Sequence, residues 1–135
     1  MAFFAWNDSY SVGVRRFDSE HQQLFAIMNE LYEGMKSGRG KEVMGTTLKK
    51  LIRYTEQHFS SEEAVMSQAG YAELSSQVDQ HRQFTQKMKD LEGQFHAGAA
   101  GLSVGLLDYL RDWLTTHISI ADKRYTAFLN AKGIS

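Results

Sequence analysis

The sequence predicts an all-α fold: an up-down-up-down four-helix bundle with an N-terminal arm and a short C-terminal helix. Three observations carry that expectation. The 135-residue chain contains no proline, so only glycine and polar clusters can interrupt a helix. Apolar residues recur at helical spacing in four long runs, and strand-like alternation is sustained nowhere. The links between the runs are short, which forces successive helices to pack as antiparallel neighbours.

Residues 1–17 show no sustained helical period; Trp6, Tyr10, Val12, Val14 and Phe17 recur at mixed spacing, as in an arm that lays aromatic anchors along a bundle. Asp18 is the expected N-cap, with Glu20 early in the first turn, of a helix over about Ser19 to Met35. Leu24, Phe25, Ile27, Met28, Leu31 and Tyr32 fall on its apolar face, and Gly34, Gly38 and Gly40 end it. A second helix is expected from about Lys41 to Gln68, through Val43, Met44, Leu48, Leu51, Ile52, Tyr54, His58, Phe59, Val65 and Met66. Gly70 is its C-terminal cap. After a link at Tyr71 and Ala72, a third helix covers about Leu74 to Phe95 with Val78, Phe84, Met88 and Leu91 inward. Small residues from Ala97 to Gly101 make the next turn. The fourth helix covers about Leu102 to His117 and carries Leu106, Leu107, Leu110, Trp113 and Leu114; Ser119 then caps a short last helix with Ile120, Tyr125, Phe128 and Leu129. No internal repeat or low-complexity segment is present, and residues 1–135 read as one domain.

Composition excludes several function classes. A formal net charge of -1 gives no long-range field to attract nucleic acid or an anionic membrane, and the cluster Lys49, Lys50 and Arg53 reads as a solvated helix face. No stretch approaches the roughly 20 apolar residues of a membrane span, and the N-terminus lacks the basic start of a secretion signal; a cytoplasmic location is expected. Met28, Met35, Met44, Met66 and Met88 read as core filling. With no cysteine in the chain, disulfides, thiolate metal sites, iron-sulfur clusters and cysteine nucleophiles are excluded. Any metal must be held by nitrogen and oxygen.

The candidate ligands are picked out by their height in the bundle, since each helical residue advances about 1.5 Å. Around a first turn centred near Arg39, His21 lies 18 residues before and His58 lies 19 after. Around a third turn near Ala99, His81 lies 18 before and His117 lies 18 after. The link near Tyr71 lies 9 residues after Glu62 and 10 before His81, which ties the two pairs together. His58 and Glu62, four apart, share one helix face. Four imidazoles with Glu62 and Asp122 at one level would crowd a dry core with polar groups unless something binds them, and a metal is the natural binder. His96 falls about 22 Å along the axis from His81 and is left out. The donor set suits iron, manganese or zinc. Six or seven protein ligands are too many for one ion that also binds a substrate, so two ions bridged by Glu62 and Asp122 fit better. The Glu-x-x-His pairs of ferritin-like dinuclear sites are absent from the sequence.

The motifs Asp18-Ser-Glu-His21, His58-Phe-Ser-Ser-Glu62-Glu63-Ala-Val-Met66, His81, and Trp113-Leu-Thr-Thr-His117-Ile-Ser-Ile-Ala-Asp122 together resemble the hemerythrins, in particular the single-domain bacterial ones. The resemblance covers nearly the whole chain. It implies a non-haem di-iron centre, with an oxo or hydroxo bridge, that binds dioxygen reversibly for storage, delivery or sensing. It further implies that Glu62 and Asp122 bridge the irons, that His21 and His58 hold the iron with the open position, and that His81 and His117 hold the other. Leu24, Trp113, Leu114 and Ile118 would wall the oxygen pocket, and a monomer is implied.

The departure from that pattern is Gln77. Where the family has His-x-x-x-His on the third helix, this chain reads Gln77-Val-Asp-Gln-His81. Gln77 either coordinates through its carbonyl oxygen or hydrogen-bonds a water in the vacant place, and both are weaker donors than imidazole. The expectation is a less firmly bound iron that stabilises its oxidised state less and admits an exogenous ligand. Two further function classes follow. One is a di-iron oxidase or peroxidase using the opened iron, although no acid-base pair away from the ligands is visible and Glu63 reads as a solvated surface residue. The other is an oxygen-responsive signalling module, against which the lack of a linker or output domain in the sequence weighs.

Overall fold

The computed structural model describes residues 4–37, 41–96 and 104–135, without the side chains at 35, 41–44, 94, 96, 104–107 and 110. The chain forms a 3-10 turn at Asp8–Tyr10, then α1 (Arg15–Lys36), α2 (Lys41–Ala69), α3 (Leu74–His96), α4 (Val104–Thr116), a π turn (His117–Asp122) and α5 (Lys123–Ala131). No strand occurs among the described residues. Helix α1 packs along α2 and against α4, α2 packs along α3, and α5 lies against α2, giving the up-down-up-down four-helix bundle that the sequence predicts.

Each helix buries the stripe that its apolar spacing dictates. Leu24, Phe25, Met28 and Leu31 of α1, Leu48, Leu51, Phe59 and Met66 of α2, and Phe84, Met88, Leu91 and Phe95 of α3 form one core with Leu114, Ile118, Tyr125 and Leu129. Three of the methionines expected in the core, Met28, Met66 and Met88, are fully buried. Met35, Val43, Met44, Leu106, Leu107 and Leu110 have side chains outside the description, as does His96, whose backbone closes α3. The expected turns at Gly38 to Gly40 and Ala97 to Gly101, and the helix start at Leu102, also lie outside the described residues.

The arm is held as its aromatic residues predict. Phe4 stacks on Phe25 with ring centroids 3.8 Å apart, and Trp6 and Tyr10 close around the same ring. The Asn29 amide completes the grip: its Oδ1 accepts from the Phe4 N–H at 2.6 Å and its Nδ2 donates to the Phe4 carbonyl at 2.7 Å.

Three local expectations need correction. Helix α1 begins at Arg15, ahead of Ser19, so Asp18 is inside its first turn rather than at the N-cap. Its carboxylate accepts instead from the Val12 N–H at 2.8 Å and the Ser11 hydroxyl at 2.6 Å, which fixes the end of the arm. Gly34 does not end α1 but sits buried within it, a position where a side chain is not needed to continue the helix. Ser119 caps nothing. It is an exposed residue of the π turn, through which α4 passes into α5 without a break.

That π turn places the fourth helix's functional residues. On an α-helix, residues five apart point about 140° away from each other. Widening the backbone to i→i+5 hydrogen bonding brings such residues toward one face. His117 and Asp122, which open and close the turn, are both buried on the inner side.

At the other end of α2 the chain reverses through a Schellman arrangement: the Gly70 N–H donates to the Ser67 carbonyl and the Tyr71 N–H to the Met66 carbonyl, at 3.1 and 2.9 Å. Gly70 takes φ +76, and a Cβ added there meets nothing within 4 Å. The cost of Gly70→Ala is therefore left-handed backbone strain alone, about 1 kcal/mol. The expected outcome is a thermal midpoint lowered by about 3 °C; an unchanged midpoint in a melting experiment would show that this turn does not depend on glycine.

Candidate metal centre

The polar residues that the helices carry to one level do meet. His21 comes from α1, His58 and Glu62 from α2, Gln77 and His81 from α3, and His117 and Asp122 from the π turn; none is more than 4% exposed. Two triads form, His21 with His58 and Glu62, and His81 with His117 and Asp122. Within each triad the candidate ligand atoms lie within 4.8 Å of one another.

The carboxylates stand between the triads. Glu62 places Oε1 at 3.0 Å from His58 Nε2 and 3.6 Å from His81 Nε2, and Oε2 at 3.8 Å from His21 Nε2. Asp122 places Oδ2 at 3.4 Å from His21 Nε2 and Oδ1 at 3.1 Å from His117 Nε2. Asp122 therefore has one oxygen beside each half, and Glu62 reaches both halves through Oε1, with Oε2 on the His21 side.

The imidazoles are aimed by what holds their outer nitrogens. His58 Nδ1 lies 2.6 Å from Glu20 Oε1, His81 Nδ1 lies 2.8 Å from Glu63 Oε2, and His117 Nδ1 lies 2.7 Å from Gln80 Oε1. Ionised carboxylates and amide oxygens only accept, so in each pair the ring nitrogen donates. That leaves Nε2 as the nitrogen with a lone pair for a metal. Ring stacking sets the planes: His81 lies on Phe59 at 3.8 Å between centroids, and His117 lies on Trp113 at 4.7 Å.

Charge and hydrogen bonding both call for a cation. Burial alone would push His58 down, but the Glu62 carboxylate 3.0 Å from its Nε2 and the bond from its Nδ1 to Glu20 outweigh it and raise it to about 10. Burial would likewise push Asp122 up, yet His117 and His21 hold it well below the usual carboxylate range. Glu62, pushed up by burial and by Asp122, is brought below its ordinary value by His58. The site thus keeps two carboxylates ionised and demands positive charge beside them, supplied by protons or by a metal that displaces them. His21 Nδ1 and Nε2, His58 Nε2, Glu62 Oε1, both Asp122 oxygens and Gln77 Oε1 have no hydrogen-bond partner among the described residues. So many stranded atoms in a dry core are costly, and a pair of metal ions would satisfy all of them but the outer His21 Nδ1. The donor set of nitrogen and oxygen fits iron.

Gln77 joins the others at this level. Its Nε2 donates to the Ala121 carbonyl in the π turn at 3.0 Å, which leaves its buried Oε1 free of any donor. Of the expected pocket residues, Leu24, Leu114 and Ile118 are buried in the core. Trp113 is half-buried between His117 and Phe84 and lines a surface groove of about 400 Å³ with Gln80, Tyr109 and Ile120.

Sequence reasoning missed four participants. Glu20 was read only as an acidic residue of the first helical turn and Gln80 was given no role, although each neighbours a candidate ligand and reaches across to an imidazole of the next helix. Glu63, read as a solvated surface residue, is bound to His81 and is 31% exposed at its side chain. Tyr125 was assigned to apolar packing, but its hydroxyl donates to Glu62 Oε2 at 2.6 Å. Burial and the neighbouring Glu62 and Asp122 carboxylates push that phenol well above its ordinary value, so it remains a donor. The available signal for the first three was adjacency, a polar acceptor one residue from a ligand.

Comparison with known proteins agrees with this geometry. Residues 12–129 match the family described as hemerythrin HHE cation binding domain. The chain is 33% identical to bacteriohemerythrin of Methylococcus capsulatus, over 97% of this chain and 100% of that protein. It is 32% identical to myohemerythrin-1 of Phascolopsis gouldii, over 90% and 91% of the two chains. A crystal structure of wild-type hemerythrin superposes with a TM-score of 0.90 at 32% identity, covering 95% of this chain and 98% of that one. The chain therefore belongs to the hemerythrin family.

Proposed function

We propose that this protein captures dioxygen reversibly at a non-haem di-iron centre held by His21, His58, Glu62, Gln77, His81, His117 and Asp122. The observation that carries the reading is the pair of buried His-His-carboxylate triads with an acid oxygen beside each half. In this assignment Glu62 and Asp122 would be shared by the two irons, His21 and His58 would hold the one with the open position, and His81, His117 and the Gln77 carbonyl oxygen would hold the other. When bound, the iron pair supplies the electrons and the coordination position that dioxygen needs.

The protein's own groups do the rest. Glu20, Glu63 and Gln80 fix three imidazoles with Nε2 inward. Tyr125 holds Glu62 in place through its hydroxyl. Leu24, Leu114 and Ile118 exclude water and stray protons from the interior beside His21 and His117, which favours release of intact dioxygen over loss of a reduced product. No described helix is long and apolar enough to cross a membrane; a cytoplasmic monomer is the setting we propose.

The test is metal analysis with visible spectra of the purified protein, reduced without air and then exposed to oxygen. Two irons per chain and a charge-transfer band that comes and goes with oxygen are expected. A band that never reverses, or repeated turnover of peroxide with a reducing co-substrate, would assign the protein to the oxidase or peroxidase class instead.

Gln77 is the weak donor of the set. Gln77→His should slow iron loss to a chelator, raise oxygen affinity and slow autoxidation. Identical values in the variant and the parent would refute the role given to this glutamine. Tyr125→Phe deletes the donor to Glu62 Oε2 and should lower iron affinity by on the order of tenfold, as loss of a ligand's hydrogen-bond partner typically does. Unchanged iron binding would reduce Tyr125 to a packing residue.

A further inference from the structure

The outer nitrogens of the four imidazoles are not treated alike. His58 donates to a carboxylate, Glu20. His81 donates to another, Glu63. His117 donates to the neutral amide oxygen of Gln80, and His21 Nδ1 has no hydrogen-bond partner among the described residues. Each triad thus contains a single carboxylate-backed imidazole. A carboxylate behind a ligand histidine makes the inner nitrogen a better donor than a neutral acceptor does.

The two halves differ in what else they offer. The His81 half includes a neutral amide oxygen at Gln77, already committed through its nitrogen to the Ala121 carbonyl. An amide oxygen donates less charge to a metal than an imidazole does, so more of the donation in this half must come through His81 and His117. Glu63 is placed to supply it. The Glu63 carboxylate lies 2.8 Å from His81 Nδ1, and Phe59 stacks on the His81 ring at 3.8 Å, which sets the plane in which that nitrogen points at Glu63.

We propose that Glu63 is a positioning residue that, through His81, sets the retention and the redox potential of the iron on the Gln77 side, offsetting the weak amide donor. This rests on the di-iron reading above. Glu63→Gln keeps an oxygen acceptor at the same place and removes only its charge, and at a partly exposed position it leaves the fold intact.

The experiment measures three quantities on the purified protein: iron per chain, the rate of iron loss from the reduced protein to a chelator without air, and the midpoint potential of the iron pair. The variants are Glu63→Gln, the same change with Gln80→Glu, and the same change with Gln77→His. In Glu63→Gln, one of the two irons should be lost about tenfold faster and the potential should rise, with the thermal midpoint of the iron-free protein unchanged. Adding Gln80→Glu, which puts a carboxylate behind His117, should reverse much of both effects. Adding Gln77→His should shrink them, because a third imidazole makes the Glu63 contribution less needed. Equal iron loss and potential in parent and Glu63→Gln would overturn the proposal while leaving the di-iron reading standing, as would a Glu63→Gln effect of the same size with and without Gln77→His. A parent that binds no iron would overturn both.

Discussion

Two ionised carboxylates buried in the middle of a helical bundle are the constraint to which the rest of this structure answers. Glu62 and Asp122 have no measurable exposure, and each lies against two or more imidazole nitrogens. Taking one such charge out of water unpaired costs several kcal/mol. Three of the four surrounding imidazoles have their outer nitrogens committed to acceptors, so once the protons on the inner nitrogens are displaced the rings bring neutral lone pairs rather than compensating charge. The deficit is local and large, and cations at the centre remove it. The bundle is built so that every helix delivers a ligand at the level where that deficit lies.

Delivery of the ligands is cooperative between neighbouring helices. Helix α1 supplies His21 as a candidate ligand and Glu20 to aim His58 on α2. Helix α2 supplies His58 and Glu62 as candidate ligands and Glu63 to aim His81 on α3. Helix α3 supplies His81 and Gln80, which aims His117 beyond α4. In each case the aiming residue is the immediate chain neighbour of a ligand, rotated by one helical step, so that it faces the next helix while the ligand faces the centre. Register between helices and geometry of the centre are therefore one constraint. A helix that slid by a residue would lose its own ligand and misalign its neighbour's.

This explains what was legible in the sequence and what was not. Level along the axis is a linear function of residue number within a helix, so His21, His58, His81 and His117 could be placed together by counting from the turns. Rotation about the axis is harder to read. Glu63 follows a ligand directly, and on an isolated helix it points to solvent; only the position of α3 turns that surface into a contact with His81. Tyr125 falls at a core spacing, and nothing in the pattern says that its hydroxyl meets Glu62. The π turn was invisible for a related reason: the expected helix stopped near His117 with a cap at Ser119 opening another, and nothing in the apolar pattern marks a widened backbone between them. The backbone instead stays helical and widens, because both side chains are required inside.

Gln77 fits the same logic of one centre drawing on four helices. A glutamine at a position one turn from His81 shares its face, and either amide atom could have turned inward. The structure decides this through the π turn: the Ala121 carbonyl accepts from the Gln77 nitrogen, so the oxygen is the atom left without a donor. The backbone distortion that aligns His117 with Asp122 thereby also orients the glutamine on the neighbouring helix. Two adjustments that look separate in the sequence, an unusual His-to-Asp separation on the last helix and an unusual residue on the third, are coupled by one hydrogen bond. The amide presents an oxygen of defined orientation because the fourth helix is not an ideal α-helix.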